Sequence, residues 1–305
     1  MTKRLVILGV LSLSILVALP AWAISNGVPD EGEHPQVGQL FFYVPDAVDS
    51  RFGDPGSWFN CSGTLLTPTL VLTAGHCAFG VGADGTSTTT GGGSGNGGND
   101  VWLSFSEVPD YDGVPLSANY DRDENDQRYI DRVAWLGGND DWVQGIAHAH
   151  PEYDDNAFFL HDLGIIELSE PVIVSEYGEL PALGYLDTLV KAAKSQARFT
   201  PVGYGLERLR PIAAEGGDTR MRADAKLNNL VSGGGVYALF SNNNGAVHQG
   251  GTCPGDSGGP IFLEGTNVIV AVNSFGIAPT CPSGIDGGYR VDQTDDLDWL
   301  ATWLS

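Results

Sequence analysis

Basic residues are scarce in this 305-residue sequence: 15 lysines and arginines stand against 38 aspartates and glutamates, a formal net charge of −23. Such a surface repels phosphate backbones and anionic lipid, so neither nucleic acid nor stable membrane association is expected. Nothing after residue 23 is long and apolar enough to span a bilayer. Cysteine is limited to Cys61, Cys77, Cys253 and Cys281, with no Cys-x-x-Cys pair, which argues against a thiolate metal centre. Long helical periods are missing from most of the chain. Short runs rich in β-branched and aromatic residues stand between turns instead: Gln39–Tyr43, Leu70–Thr73, Val101–Phe105, Gly164–Leu168 and Val268–Val272. They predict a mostly β protein, a barrel or sandwich built from hairpins.

The one long apolar run, residues 5–19, follows Lys3 and Arg4 and precedes Ala21 and Ala23. That is the pattern of an export signal ending at residue 23; the run is short for the alternative, a transmembrane anchor. Cleavage there starts the chain at Ile24. Because residues 1–23 hold two basic and no acidic side chains, the net charge becomes −25. A secreted or otherwise exported protein, extracellular or periplasmic, is expected. The even number of cysteines then suggests two disulfides, of which 61–77 and 253–281 are the simplest of three pairings.

Two excursions interrupt the strands. Residues 80–99 hold nine glycines and no large side chain, and predict a flexible segment. Residues 107–132 are acidic and read as a solvated loop. Asp121, Asp123, Asn125, Asp126 and Asp131 are candidate Ca2+ ligands there, but Asp126 occupies the turn-glycine position of an EF-hand and no glutamate closes the loop. At the C-terminus Thr294 is placed to cap a helix whose stripe is Leu297, Leu300, Trp303 and Leu304. His148 and His150 have the spacing of a metal pair; His34 and His248 have no supporting pattern.

Three separated motifs carry chemistry: Ala74-Gly75-His76-Cys77, Asp162-Leu163-Gly164-Ile165-Ile166 and Gly255-Asp256-Ser257-Gly258-Gly259-Pro260. In content and in the order His, Asp, Ser the chain resembles the chymotrypsin/trypsin-like serine proteases. His148 to Tyr153 then resembles the edge strand leading to the family's aspartate. Val202-Gly203-Tyr204-Gly205 resembles a stretch of its second barrel, with Tyr204 in place of a tryptophan. The likeness runs from Ile24 to the terminal helix and is weakest over residues 80–145.

The resemblance implies an all-β fold of two six-stranded antiparallel barrels with a C-terminal helix. The first barrel is expected over residues 24–178 and the second, with the helix, over 179–305. It implies a serine endopeptidase that works through an acyl-enzyme. His76 is the implied base, Asp162 its orienting partner and Ser257 the nucleophile, with the backbone N–H groups of Gly255 and Ser257 as the oxyanion hole. No cofactor is required, the partner is a peptide or protein substrate, and the molecule acts as a monomer. Asp256 is implied to meet a new N-terminal amine on Ile24, so that signal removal itself activates; a later cut within residues 25–40 is the alternative. Gly251 falls at the base of the first specificity pocket, where trypsins carry aspartate. Thr252 and Asn273 are expected as its walls, Gly287 as the glycine leaving it open, and Ser274, Phe275 and Gly276 as the strand that pairs with substrate backbone. A neutral side chain is the favoured guest; Asp286 admits a basic one if its carboxylate turns inward. A catalytically inactive homologue acting as a binding module, an esterase and a salt-adapted structural protein are the rival readings.

Overall fold

The computed structural model describes residues 24–82, 97–157, 160–192, 197–210, 213–231, 235–241, 250–276, 281 and 285–305. The segment read as an export signal, most of the glycine-rich excursion and His248 lie outside the described residues. Among the described residues no helix is long and apolar enough to cross a membrane.

A two-residue strand, β1 (Val28–Pro29), opens the described chain. The first barrel follows, made of β2 (Val37–Val48), β3 (Pro55–Thr67), β4 (Leu70–Thr73), β5 (Val101–Ser104), β6 (Val143–Ala149) and β7 (Gly164–Leu168). It closes in the order β2-β3-β4-β7-β6-β5, every pair antiparallel. The second half holds β8 (Arg198–Gly203), a hairpin of β9 (Leu206–Arg210) and β10 (Ala213–Gly216), then β11 (Met221–Arg222), β12 (Ala225–Val231), β13 (Tyr237–Ser241), β14 (Pro260–Leu263), β15 (Ile269–Gly276) and β16 (Ile285–Arg290). Its barrel runs β8-β12-β13-β16-β15-β14, and β14 returns to β8. The two-barrel expectation is met. The strands β1 and β11 extend β8, so the N-terminal segment belongs to the second barrel's sheet.

Side-chain alternation explains both cores. In the first barrel Leu40, Phe42, Leu65, Val71, Val101, Leu103 and Ile166 point inward. In the second, Phe199, Leu227, Phe240, Ile261 and Ala271 do the same. A third cluster lies between them: Leu70, Leu72, Ile165, Val202, Tyr204, Phe262 and Val272, with Leu300 of the terminal helix. β4 therefore buries both faces, Val71 in its own barrel and Leu72 in the seam. That is why its sequence, Leu-Val-Leu-Thr, shows no apolar-polar alternation.

The described residues also form four α-helices: α1 (Gly75–Ala78), α2 (Asn125–Gly137), α3 (Tyr185–Ala192) and α4 (Thr294–Trp303). α2 corrects the reading of residues 107–132 as loop throughout. Its buried face is not an aliphatic stripe. Arg128 lies over the Phe52 ring at 4.2 Å and pairs with Asp49 at 3.0 Å, and Tyr129 packs on Tyr43 at 4.5 Å. Two of the five candidate Ca2+ ligands are engaged elsewhere: Asn125 donates to the Pro55 carbonyl, and Asp131 accepts from Tyr120 and Gln127. At the C-terminus Gln293, not Thr294, is the N-cap, and no side chain bonds the cap. Thr294 already lies inside the helix. Leu300 and Trp303 pack as expected, whereas Leu304 is exposed and Trp299 joins the contact in its place.

Both local disulfides, Cys61–Cys77 and Cys253–Cys281, are formed. The first spans 16 residues between β3 and α1. Replacing both Cys61 and Cys77 with alanine is expected to lower stability by about 3 kcal/mol in urea unfolding, by releasing that loop in the unfolded chain.

Candidate active site

Strand register creates the first half of the site. β4 and β7 are antiparallel neighbours with Thr73 opposite Gly164. The chain leaving β4 and the chain entering β7 thus meet at one edge of the barrel. His76 follows on the single turn α1, pinned through Cys77 to β3; Asp162 lies just before β7. Asp162 is fully buried. Its Oδ1 accepts the His76 backbone N–H at 2.9 Å, and His76 Nδ1 lies 3.1 and 3.0 Å from its two oxygens. A carboxylate against Nδ1 fixes the ring proton there and leaves the Nε2 lone pair facing away. Burial pulls the imidazole pKa down, the Asp162 charge pushes it up, and the net effect is a rise above 6.5.

Sequence reasoning assigned Ser274 to substrate binding and missed a further contact. Its Oγ donates to Asp162 Oδ2 at 2.5 Å from β15 of the other barrel. Ser62 was missed altogether: a serine inside a strand gives no local signal. Its Oγ donates to the Gly255 carbonyl at 2.9 Å and accepts the Tyr204 N–H at 3.0 Å.

Ser257 lies on the loop between β13 and β14. That loop is stitched to both barrels: Ser62 N–H donates to the Ser257 carbonyl and Gly258 N–H to the Asn273 carbonyl, each at 2.7 Å. Ser257, Gly255 and His76 line one cavity of about 570 Å3, together with Phe42, Phe59 and Asp155. Asp162 stands behind His76. Gly255 has φ +102°, and a Cβ there would lie 2.8 Å from the Gly205 Cα, so only glycine fits.

Next to the loop carrying Ser257, Ile24 is buried with Met221 and Ala223. Ser25 and Gly251 exchange both backbone hydrogen bonds at 2.9 Å. Asp256 is buried too, accepting N–H groups of Gly205 at 2.7 Å and Cys253 at 2.8 Å. Burial outweighs those two donors and pushes its carboxyl up to about 7. Around Gly251, Thr252 Oγ1 donates to Asn273 Oδ1 at 2.8 Å, and the buried Asp286 accepts the Thr252 N–H at 2.6 Å. The carboxylate of Asp286 is therefore turned inward. Along β15, Ser274 is buried, Phe275 half-buried and Gly276 exposed. Gly287 serves a different purpose from the one expected. The Phe275 ring occupies the space a side chain at 287 would need, so this glycine seats Phe275.

The raised His76 pKa carries a stability prediction. The His76–Asp162 contact contributes fully below about pH 6.5 and fades as pH rises through the higher folded-state value. NMR titration should place the His76 imidazole above 6.5, and Asp162→Asn should bring it down and flatten this part of the stability profile.

Comparison with known proteins agrees with the two-barrel fold. The family model described as Trypsin matches residues 133–299, more than half of the chain. Brachyurin of Leptuca pugilator is 26% identical over 247 residues, 79% of this chain and 86% of that protein. Serine protease 1 of Drosophila melanogaster is 27% identical over 282 residues, 91% and 84% of the two chains. Among solved structures, HL collagenase aligns with a TM-score of 0.57 at 18% identity, over 92% of this chain and 98% of that one. Human heparin binding protein aligns with a TM-score of 0.55 at 16% identity, over 92% and 96%. Matched along its sequence and folded as two barrels about one cleft, the chain belongs to the trypsin-like serine protease family.

Proposed function

We propose that this protein is a secreted serine endopeptidase that cuts through an acyl-enzyme. One observation carries the reading: Asp162, hydrogen-bonded to His76 Nδ1, leaves Nε2 free in the cavity that Ser257 and Gly255 also line. His76 takes the Ser257 proton as Oγ attacks the substrate carbonyl, and returns it to the leaving amine as the acyl-enzyme forms. A water molecule repeats the attack with the same proton route, releasing the acid and restoring Ser257. The N–H groups of Gly255 and Ser257 stabilise the oxyanion; losing one such donor costs roughly 3 kcal/mol of transition-state binding. Ser274, donating to Asp162 Oδ2, holds that carboxylate in place behind the imidazole.

Activation fits the same geometry. The buried Asp256 has two N–H donors but a raised pKa, a site that favours a cationic partner. Buried Ile24 and the Ser25–Gly251 bridge support a free Ile24 ammonium as that partner, generated by export-signal cleavage. The inward Asp286 carboxylate extends the expected pocket guest from neutral side chains to basic ones and disfavours acidic ones. The rival reading, a non-catalytic binding module, has less support, since each implied catalytic group is present. A net charge of −23 also argues against a polyanion partner such as the one in the heparin binding protein's name.

A fluorophosphonate probe should label the mature protein at Ser257, and Ser257→Ala should abolish label and peptide hydrolysis together. Hydrolysis persisting in that variant would refute the assignment. Edman sequencing of the mature chain should begin at Ile24. Ser274→Ala, removing a charge-assisted hydrogen bond of about 1.5 kcal/mol, should lower kcat roughly tenfold with little change in KM.

A further inference from the structure

The cavity beside Ser257 has a wall to which the catalytic steps give no role. Phe42, Val44 and Asp46 of β2, Phe59 of β3, Phe79 beyond α1, and Asp155 line it. The residues expected to hold the acyl half of a substrate, at Gly251, Thr252 and along β15, lie outside this cavity. A peptide crossing Ser257 has two halves. With its acyl half on β15, the half released as an amine runs over this wall.

β3 sets the path of that half. Ser62 N–H donates to the Ser257 carbonyl, so this edge of β3 faces the loop carrying Ser257. Residues two apart in a strand turn their N–H and C=O groups to the same side, so Asn60 presents its pair there as well. β2 takes the other side, with Phe41 opposite Asn60, and β4 pairs with β3 only over Thr64–Thr67. From Ser62 back to Phe59 is about 10 Å of extended chain, the span of three substrate residues.

The wall offers two kinds of contact. Phe59 is 44% exposed, with its ring 6.0 Å from that of the buried Phe42. Val44 and Phe79 are half-buried in the same cavity. A large apolar guest covers this surface, which is otherwise left to solvent. Asp46 and Asp155 are exposed at the rim. Among the described residues no lysine or arginine lines the cavity. Its field is negative, in keeping with the net charge of −23.

We propose that this wall selects the leaving half of the substrate. A large apolar side chain falls within the first three residues after the cut, against Phe42 and Phe59. A lysine or arginine beside it faces Asp46 and Asp155, and acidic residues are rejected there. The inference rests on the endopeptidase reading and adds to it the sequence beyond the scissile bond. Phe59 and Asp46 are its specificity-determining residues.

The mature chain should be given a mixed-sequence peptide library and its cleavage sites read by mass spectrometry. Phe, Tyr, Leu or Ile should be enriched within three residues after the cut, Lys and Arg enriched beside them, and Asp and Glu depleted. Quenched-fluorescence peptides sharing one acyl half and differing only after the cut then give ratios of kcat/KM, in which any general change in activity cancels. The ratio for Leu over Ala should fall roughly tenfold in Phe59→Ala, the scale of a small volume change in an apolar pocket, and Phe59→Leu should restore most of it. The ratio for Lys over Glu should fall about threefold in Asp46→Asn, the scale of an exposed ion pair, and should shrink with added salt. Both positions are exposed, so the variants should fold. Cleavage indifferent to the leaving half, or a ratio unchanged in its variant, overturns the proposal and leaves the catalytic assignment standing. Failure of the wild-type chain to cleave any peptide overturns both.

Discussion

A buried carboxylate with donors from both barrels organises this molecule. Asp162 has no solvent contact, and an unpaired charge in such a place is prohibitively unfavourable. It is tolerated because the first barrel offers the His76 backbone N–H and ring, and the second offers the Ser274 hydroxyl. Satisfying Asp162 therefore fixes the barrels against each other at the point where His76 must face Ser257. Ser62 does similar work nearby, bonding Tyr204 and Gly255 of the second half from a strand of the first. Behind these polar contacts the seam is apolar, with Leu72, Val202, Phe262 and Val272 excluding water.

A second buried network ties the N-terminal segment to the same frame. Asp30 is buried and pairs with Arg220 at 2.9 Å. The same guanidinium donates to the carbonyls of Val37 and Phe105 and to the Tyr204 hydroxyl. These bonds leave from Nε and Nη1, and hydrogen-bonding of this kind is what makes a buried ion pair tolerable. With the β1–β11 pairing and the Ser25–Gly251 bridge, this anchors residues 24–30 beside the loop carrying Ser257.

Some elements were legible because one local cause governs them. β4 and β7 were read at their observed limits, since runs of Leu, Val and Ile between turns have no competing use. α2 was not, because among its many acidic neighbours its buried face is set by contacts far along the chain, Arg128 on Phe52 and Tyr129 on Tyr43. At the site, the three motifs gave the residue types but not their partners. Nothing local to Ser62 or Ser274 marks them as donors to Gly255 and Asp162, 193 and 112 residues away. Gly287 was read as leaving space for substrate, yet a neighbouring strand fills that space with Phe275.

By itself the sequence determined the strand-rich character, the acidic surface and the identities of His76, Asp162 and Ser257, because composition and short motifs are local properties. Tertiary structure alone decided which oxygen each donor meets, how Asp286 turns on Thr252, and that Phe59 lines the same cavity as Ser257. Those outcomes depend on register and barrel closure, which bring together groups that the chain keeps apart, 34 residues for Thr252 and Asp286 and 112 for Asp162 and Ser274.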